Sequence, residues 1–143
     1  MNKNFLNAKA GKKMRFVKVN DIQKETINNG NNGRESEKII FTVADDMVKR
    51  EFKISDSWIA LETEPHLKIA GLWYLANDED IIAHNSTLAK LLTYYDCESL
   101  ADMMYKEVKV YPDPKGYLVL VSCDATDEEL DNALISLKEK NKK

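Results

Sequence analysis

The chain has 143 residues, of which 43% are hydrophobic and 31% are charged, a composition typical of a soluble globular protein rather than a disordered or fibrous one. Its longest apolar runs fall far short of the ~20 residues that a membrane-spanning helix requires, and no secretory signal is visible at its start. The two cysteines lack metal-type spacing, so we expect one cytoplasmic domain over residues 1–143 with free thiols.

The net charge of -3 conceals a difference between the two parts of the chain. Residues 1–53 contain 12 basic and 7 acidic residues, a net charge of +5, whereas residues 54–143 contain 9 and 17, a net charge of -8. Such asymmetry is compatible with a polyanion-binding face on a protein that is acidic overall. It is equally compatible with a mixed, solvated surface.

The first predicted strand is residues 13–20, which are rich in β-branched and alternating side chains. Met14 and Phe16 share one face of this strand. We expect Phe16, like Phe41 and Phe52 further along the chain, to fill the core.

The next segment, residues 21–37, is polar and contains Asn-Asn-Gly-Asn-Asn-Gly, which favours a flexible loop. A connection of this length between strands is unusual, and it is either functional or a tolerated insertion. Residues 38–45 and 48–55 are predicted to be the two strands of a hairpin. The side chains of Lys49 and Lys53 fall on its solvent face.

Residues 56–84 are the hardest segment to assign and are interpreted as an insert. Pro65 interrupts any ladder or helix around it, and the apolar run at residues 68–76 is compatible with a short helix or a strand. A helix is predicted at residues 86–95, where leucines three and four positions apart form one apolar stripe.

The end of the chain carries the clearest local signals. Residues 108–111 and 117–122 are predicted to form a hairpin around the turn sequence Pro-Asp-Pro-Lys-Gly. Residues 126–140 are the predicted C-terminal helix, in which Thr126 and Glu129 match a capping box.

Five predicted strands, with a helix between the third and the fourth, follow the order of the oligonucleotide-binding (OB) fold, a small Greek-key barrel. The segments GKKMRFVKV, IIFTV…REFKIS and STLAKLLTYY…YKEVKVYPDPKGYLVLVS resemble small OB-fold proteins of the single-stranded-DNA-binding type. The expected fold is therefore mainly β with helices: a five-stranded OB-like barrel, a helix between strands 3 and 4, and a C-terminal helix. The resemblance implies binding of single-stranded nucleic acid, DNA in the first place, with little sequence specificity.

Binding of this kind requires cations along the phosphate backbone and flat side chains that stack on bases. The candidate cations are Arg15, Lys18, Lys49, Arg50, Lys53 and Lys109. The candidate stacking residues are Trp58, which follows the cationic strand, and Tyr111, whose alternation with Val108 and Val110 predicts an outward-facing ring. Lys49 and Lys53 also have a simpler interpretation, since lysines keep an edge strand soluble.

Catalysis is not expected, and no metal or cofactor site is predicted. His66 and His84 have no partner at metal or triad spacing, and Cys97 and Cys123 have the character of buried apolar groups. The competing interpretation is an adaptor that binds a partner protein, or a second copy of itself, through the amphipathic C-terminal helix. OB barrels also serve as adaptors, because a fold does not fix a function.

Overall fold

The computed structural model describes residues 14–28, 35–45, 49–63, 66–75, 79, 81–84 and 86–140. The strands within them are β1 (Arg15–Asn28), β2 (Glu35–Asp45), β3 (Arg50–Ile54), β4 (Asp56–Ala60), β5 (Leu67–Gly71), β6 (Glu107–Pro112) and β7 (Leu118–Val121). The helices are α1 (Thr87–Tyr94), a short 3-10 helix (Leu100–Met103) and α2 (Asp127–Lys140). Among the described residues, no helix combines the length and the apolarity that crossing a membrane requires.

The seven strands form one mixed sheet in the order β3-β2-β1-β6-β7-β4-β5. Neighbouring strands are antiparallel, except that β4 runs parallel to β7. Along the chain β3 and β4 are separated only by Ser55, although they lie far apart in the sheet order. The sheet must therefore bend strongly, because one continuous stretch of chain contributes its first and its sixth strand in that order.

Residues 72–74 lie between Ser55 and the start of β2. The amide of Leu72 donates to the carbonyl oxygen of Ser55 at 2.9 Å, and the amide of Ile39 donates to the carbonyl oxygen of Leu72 at 2.9 Å. The amide of Tyr74 donates to the carbonyl oxygen of Glu37 at 2.8 Å. These bonds connect the segment after β5 with β2 on the far side of the bend.

The mainly β class with helices is confirmed, whereas the expected five-stranded closed barrel differs from the observed seven strands in an open order. The predicted strand at residues 48–55 does not end there but continues as β4 after Ser55. Three successive residues of β4 are buried, so no alternation of apolar and polar residues marks it as a strand. The strand β5 lies inside the predicted insert.

The flexible loop predicted at residues 21–37 is wrong for residues 21–28 and 35–37, which belong to β1 and β2; residues 29–34 lie outside the described part of the chain. The two strands pair in register from Asp21 opposite Thr42 to Asn28 opposite Glu35. Most side chains of β1 beyond Asn20 are exposed, so backbone hydrogen bonds hold this ribbon together and side-chain burial contributes little.

Local signals identified the remaining elements correctly. Both strands of the predicted C-terminal hairpin are present as β6 and β7, and α1 buries Leu88, Leu91 and Leu92 as its stripe predicts. The hydroxyl of Ser86 caps α1 by accepting from the amide of Ala89 at 3.1 Å.

The helix α2 begins with the predicted capping box and covers one part of the sheet. The hydroxyl of Thr126 accepts from the amide of Glu129 at 3.1 Å, and the Glu129 carboxylate accepts from the amide of Thr126 at 2.9 Å. Leu130 and Leu134 are buried in the same core as the strands. We call β4, β5, β6 and β7 the covered half of the sheet, because α2 contacts β5 and Tyr111 of β6, and we call β1, β2 and β3 the exposed half.

Candidate nucleic-acid interface

The outward face of the exposed half is polar and carries the exposed cations Lys18 and Lys53. Lys18 lies opposite Ala44 of β2, and Ala44 lies opposite Glu51 of β3. Lys53 lies in the adjacent row, opposite Thr42. Because rows on one face are about 7 Å apart and strands about 5 Å apart, the two lysines are within one short stretch of a nucleic-acid backbone.

Lys49 and Arg50 lie at the end of this face, at the start of β3, and both side chains are exposed. Lys49 has a φ of 53°, the left-handed conformation that tight turns use. The guanidinium of Arg50 lies 5.3 Å from the ring centroid of Phe52. We call the exposed cations Lys18, Lys49, Arg50 and Lys53 the cationic area. Arg50 is paired in register with Asp45, so it lies at the edge of this area.

Arg15 has a structural partner. Its guanidinium forms an ion pair with the carboxylate of Asp45, whose side chain is only 2% exposed. This contact connects the start of β1 with the end of β2. Arg15 therefore compensates a buried charge and adds little to the positive potential of the surface.

The ammonium of Lys109 is held over the ring of Tyr94. It lies 4.7 Å from the centroid of that ring, bonds to the Tyr94 hydroxyl, and donates to the carbonyl oxygen of Cys123 at 3.2 Å. The Tyr94 hydroxyl donates to the carboxylate of Asp124 at 2.8 Å. Burial raises the pKa of Tyr94, and Lys109 only partly opposes this effect, so the hydroxyl remains protonated at neutral pH.

Both stacking residues predicted from the sequence lie inside the protein. The side chains of Trp58 and Tyr111 are fully buried, and their ring centroids are 6.5 Å apart in an edge-on arrangement. The indole nitrogen of Trp58 donates to the carbonyl oxygen of Pro112 at 3.3 Å. Trp58 therefore offers no surface to a base.

Tyr111 shows why the expected outward orientation failed. The ring does lie on the face opposite Val110, as the alternation indicates, but α2 covers that face and the Tyr111 hydroxyl lies 3.5 Å from the Asp131 carboxylate. The prediction that Tyr111 meets solvent is wrong. An outward face of a sheet is a solvent face only where nothing packs on it.

An exposed aromatic ring is present elsewhere, at Phe16, which the sequence assigned to the core. Phe16 is 61% exposed, whereas Val17 and Val19 point inward and are buried. The inward phase of β1 is thus displaced by one residue from the expected one, and such a displacement exchanges the two faces of a strand. The β-branched pair Val17 and Val19 fits the observed phase and was the signal available in the sequence.

Phe16 lines a groove between β1, β6 and the end of α1, with a volume of about 690 Å³. Its lining residues are Phe16, Thr93, Tyr94, Tyr95, Glu107, Lys109 and Asp124. We call it the Phe16 groove. It continues the outward face of the exposed half, because Phe16 and Lys18 are neighbours on the same side of β1.

A second groove, of about 610 Å³, lies between α2 and the hairpin of β4 and β5, and we call it the α2 groove. Leu67, Ala133 and Leu137 provide an apolar surface within it, and Asp124 and Glu129 provide carboxylates. Its described lining residues include no lysine or arginine. Its carboxylates contrast with the exposed cations Lys49, Arg50 and Lys53 at and beside β3.

The eight predicted site residues thus lie in three different environments. Four remain exposed on or beside the exposed half of the sheet: Lys18, Lys49, Arg50 and Lys53. Arg15 and Lys109 are engaged by neighbouring side chains, and Trp58 and Tyr111 are buried.

Nothing in the described residues groups three or more His, Cys, Asp or Glu side chains as a metal site requires. Comparison of the chain with known protein families, with characterised proteins and with solved structures finds no match. Functional interpretation therefore rests on the geometry of the two grooves and of the exposed half.

Proposed function

We propose that the protein binds single-stranded nucleic acid, with single-stranded DNA as the first candidate, through the exposed half of its sheet. One observation carries this proposal: Phe16 is exposed beside Lys18 on the outward face of β1. Stacking of a base on such a ring contributes ~1–3 kcal/mol and tolerates any sequence. Lysines nearby attract phosphates without reading bases.

The finer fold assignment that belongs to this proposal is an OB-like barrel. It is supported by the pairing of β1 with both β2 and β6 and by the parallel pairing of β4 with β7. It is also supported by Ser55, which makes residues 50–60 one continuous stretch that pairs with β2 at one end and β7 at the other. In OB barrels the face of the second and third strands binds oligonucleotides, which here corresponds to β2 and β3.

The test is fluorescence anisotropy of a labelled thymidine oligomer titrated with protein at several salt concentrations. We expect binding that weakens as salt rises, with a logarithmic slope of about -0.7 for each phosphate contacted. The double variant Lys18→Glu, Lys53→Glu should weaken binding at least ~10-fold and reduce the slope by about 1.4.

A matched control is the double variant Lys68→Glu, Lys138→Glu. It changes the net charge by the same amount, at exposed positions on β5 and α2 rather than on the exposed half. Its affinity should stay close to that of the unchanged protein. Equal losses in both double variants, or the absence of binding at low salt, would contradict the proposal.

A second candidate function, protein binding, is favoured by the α2 groove. An apolar surface combined with two carboxylates matches a cationic amphipathic peptide, whose leucines would contact Leu67 and Leu137 while its lysines pair with Asp124 and Glu129. A labelled helical peptide of leucine and lysine serves as the probe.

Two substitutions on α2 separate specific docking from general attraction between charges. Ala133→Trp fills the α2 groove and should abolish binding of the peptide, whereas Ile135→Trp, at a position that is 49% exposed, should leave it unchanged. Equal binding by both variants would eliminate the groove as the docking site.

A further inference from the structure

We infer that the Phe16 groove is a subsite for one unpaired base, and that it prefers cytosine and adenine, whose amino groups are N4 and N6, over thymine, which has a carbonyl oxygen at that position. This inference rests on the proposed function, because it assigns a specificity to the same nucleic-acid-binding surface. It differs from that function in its chemistry, since lysines on the sheet attract any strand, whereas a carboxylate acceptor in the groove distinguishes bases.

Three aromatic side chains line the groove, and two of them, Phe16 and Tyr94, differ in how firmly they are held. Phe16 is 61% exposed and available to a base. Tyr94 is held in place, because its hydroxyl bonds to Asp124 and to the ammonium of Lys109, which also lies over its ring. The groove volume of about 690 Å³ falls within the range of ~300–1,000 Å³ usual for ligand sites.

Lys109 is a positioning residue in this arrangement rather than a phosphate contact. Its ammonium is engaged by the Tyr94 hydroxyl and by the carbonyl oxygen of Cys123 at 3.2 Å. It thereby fixes the wall of the groove formed by Tyr94 and compensates the nearby carboxylate of Asp124.

Glu107 is the residue that introduces the preference. On β6 it lies opposite Lys18, one row from the pair of Phe16 and Lys109, and its side chain is exposed. Rows are about 7 Å apart, so the edge of a base that stacks on Phe16 reaches toward this carboxylate.

A protein carboxylate and the phosphates of a bound strand repel each other. A base that donates a hydrogen bond to the carboxylate offsets this repulsion. Cytosine N4 and adenine N6 are such donors, and carboxylates recognise the cytosine amino group in known complexes of proteins with DNA. Thymine presents a carbonyl oxygen, which a carboxylate repels, at the equivalent position and offers only its ring N3–H as a donor. The charge of Glu107 is therefore favourable to one class of bases and unfavourable to the other.

The experiment compares homopolymers of cytosine, adenine and thymine of equal length by competition anisotropy. We expect the cytosine and adenine oligomers to bind at least about fivefold more tightly than the thymine oligomer. Glu107→Ala should bring this ratio close to one, mainly by strengthening the binding of the thymine oligomer.

Glu51→Ala is the matched control, because Glu51 is an exposed carboxylate at the other end of the same row, on β3. It should strengthen the binding of all three oligomers equally and leave the ratio unchanged. Phe16→Ala should weaken all three by about 5- to 100-fold, and Phe16→Tyr should restore the affinity.

The outcomes distinguish this inference from the proposed function. If no oligomer binds, the proposed function fails and this inference fails with it. If the oligomers bind but the base ratio is one, or Glu107→Ala and Glu51→Ala change it equally, the base preference is overturned while the proposed function stands. Unchanged affinity of Phe16→Ala overturns the Phe16 groove as a subsite in the same way.

Discussion

The exposed half and the covered half of the sheet place their outward-facing side chains in opposite environments. On β1 and β3 the outward residues, such as Lys18 and Lys53, meet solvent. On β6 and β4 the outward residues Tyr111 and Trp58 are buried: α2 lies over Tyr111, and the ring of Trp58 packs edge-on against that of Tyr111. The same alternation along a strand therefore yields a surface in one half and a second layer of core in the other.

Charge follows the same division. The start of β3 presents Lys49 and Arg50 to solvent. The first turns of α2 contain four carboxylates: Asp127, Glu128, Glu129 and Asp131. Among the described residues, the carboxylates of α2 thus lie in the covered half and Lys49 and Arg50 lie at the edge of the exposed half, where a polyanion would meet cations first.

The largest expected effect is a difference in unfolding free energy between deleting an aromatic ring in the covered half and deleting one in the exposed half. Trp58→Ala should lower the free energy of unfolding by about 3–5 kcal/mol, because it removes a fully buried ring from the covered half. Phe16→Ala, also a deletion of an aromatic ring, should cost less than about 1 kcal/mol, because the ring is exposed. Urea unfolding measures both, and similar losses would refute the distinction between the halves.

Two adjacent residues of α2 test whether this helix is part of the core. Leu134 is 2% exposed and Ile135 is 49% exposed. Leu134→Ala should cost about 2–5 kcal/mol in urea unfolding, and Ile135→Ala less than about 1 kcal/mol. If Leu134→Ala proved as mild as Ile135→Ala, α2 would not cover the sheet as described.

The boundary of the cationic area can be tested at two arginines. Arg15→Ala should cost about 1–3 kcal/mol of unfolding free energy, because the Asp45 carboxylate stays buried without this cation. Arg50→Ala should cost less than about 0.5 kcal/mol, since Arg50 is exposed. The opposite order of the two losses would show that Arg15 does not stabilise the fold by compensating the Asp45 carboxylate.

The smallest expected effect concerns alkaline pH. Burial, together with the carboxylates of Asp131 and Asp127, raises the pKa of Tyr111 to about 12. A tyrosine in the unfolded chain ionises near pH 10, so the unfolded chain loses this proton first and stability falls as pH rises from about 10 to about 12. Tyr111→Phe should make this fall shallower by up to about 1.4 kcal/mol per pH unit.

Urea unfolding at a series of alkaline pH values measures this slope. Tyr117→Phe is the control, because Tyr117 is 71% exposed and its removal should leave the slope unchanged. Equal slopes in both variants would show that Tyr111 is not held in the covered half as described.

Sequence reasoning succeeded where the signal is local. The Thr126 and Glu129 capping box, the apolar stripe of α1 and the turn between β6 and β7 each depend on neighbours within a few residues, and each is present. The mainly β class was predicted from the turn between β6 and β7 together with the hairpin of β2 and β3.

The failures occurred where the outcome depends on distant parts of the chain. Whether Tyr111 is exposed depends on Asp131 and the rest of α2, which the alternation within residues 108–111 cannot report. The polar residues from Asp21 to Asn28 form a strand because β2 pairs with them, not because of their own propensities. The exposed Phe16 was missed because the phase of β1 was assigned from Met14 rather than from Val17 and Val19.

Ser55 has a consequence for how the molecule opens. Since residues 50–60 bond to β2 on one side of Ser55 and to β7 on the other, and Ser55 itself accepts from Leu72, detaching either end disturbs both. Amide protons on β2 and β7 should therefore exchange with deuterium through one common global opening and not as two independent units. A nucleic acid that binds on one side of the protein would in this way slow exchange on the opposite side.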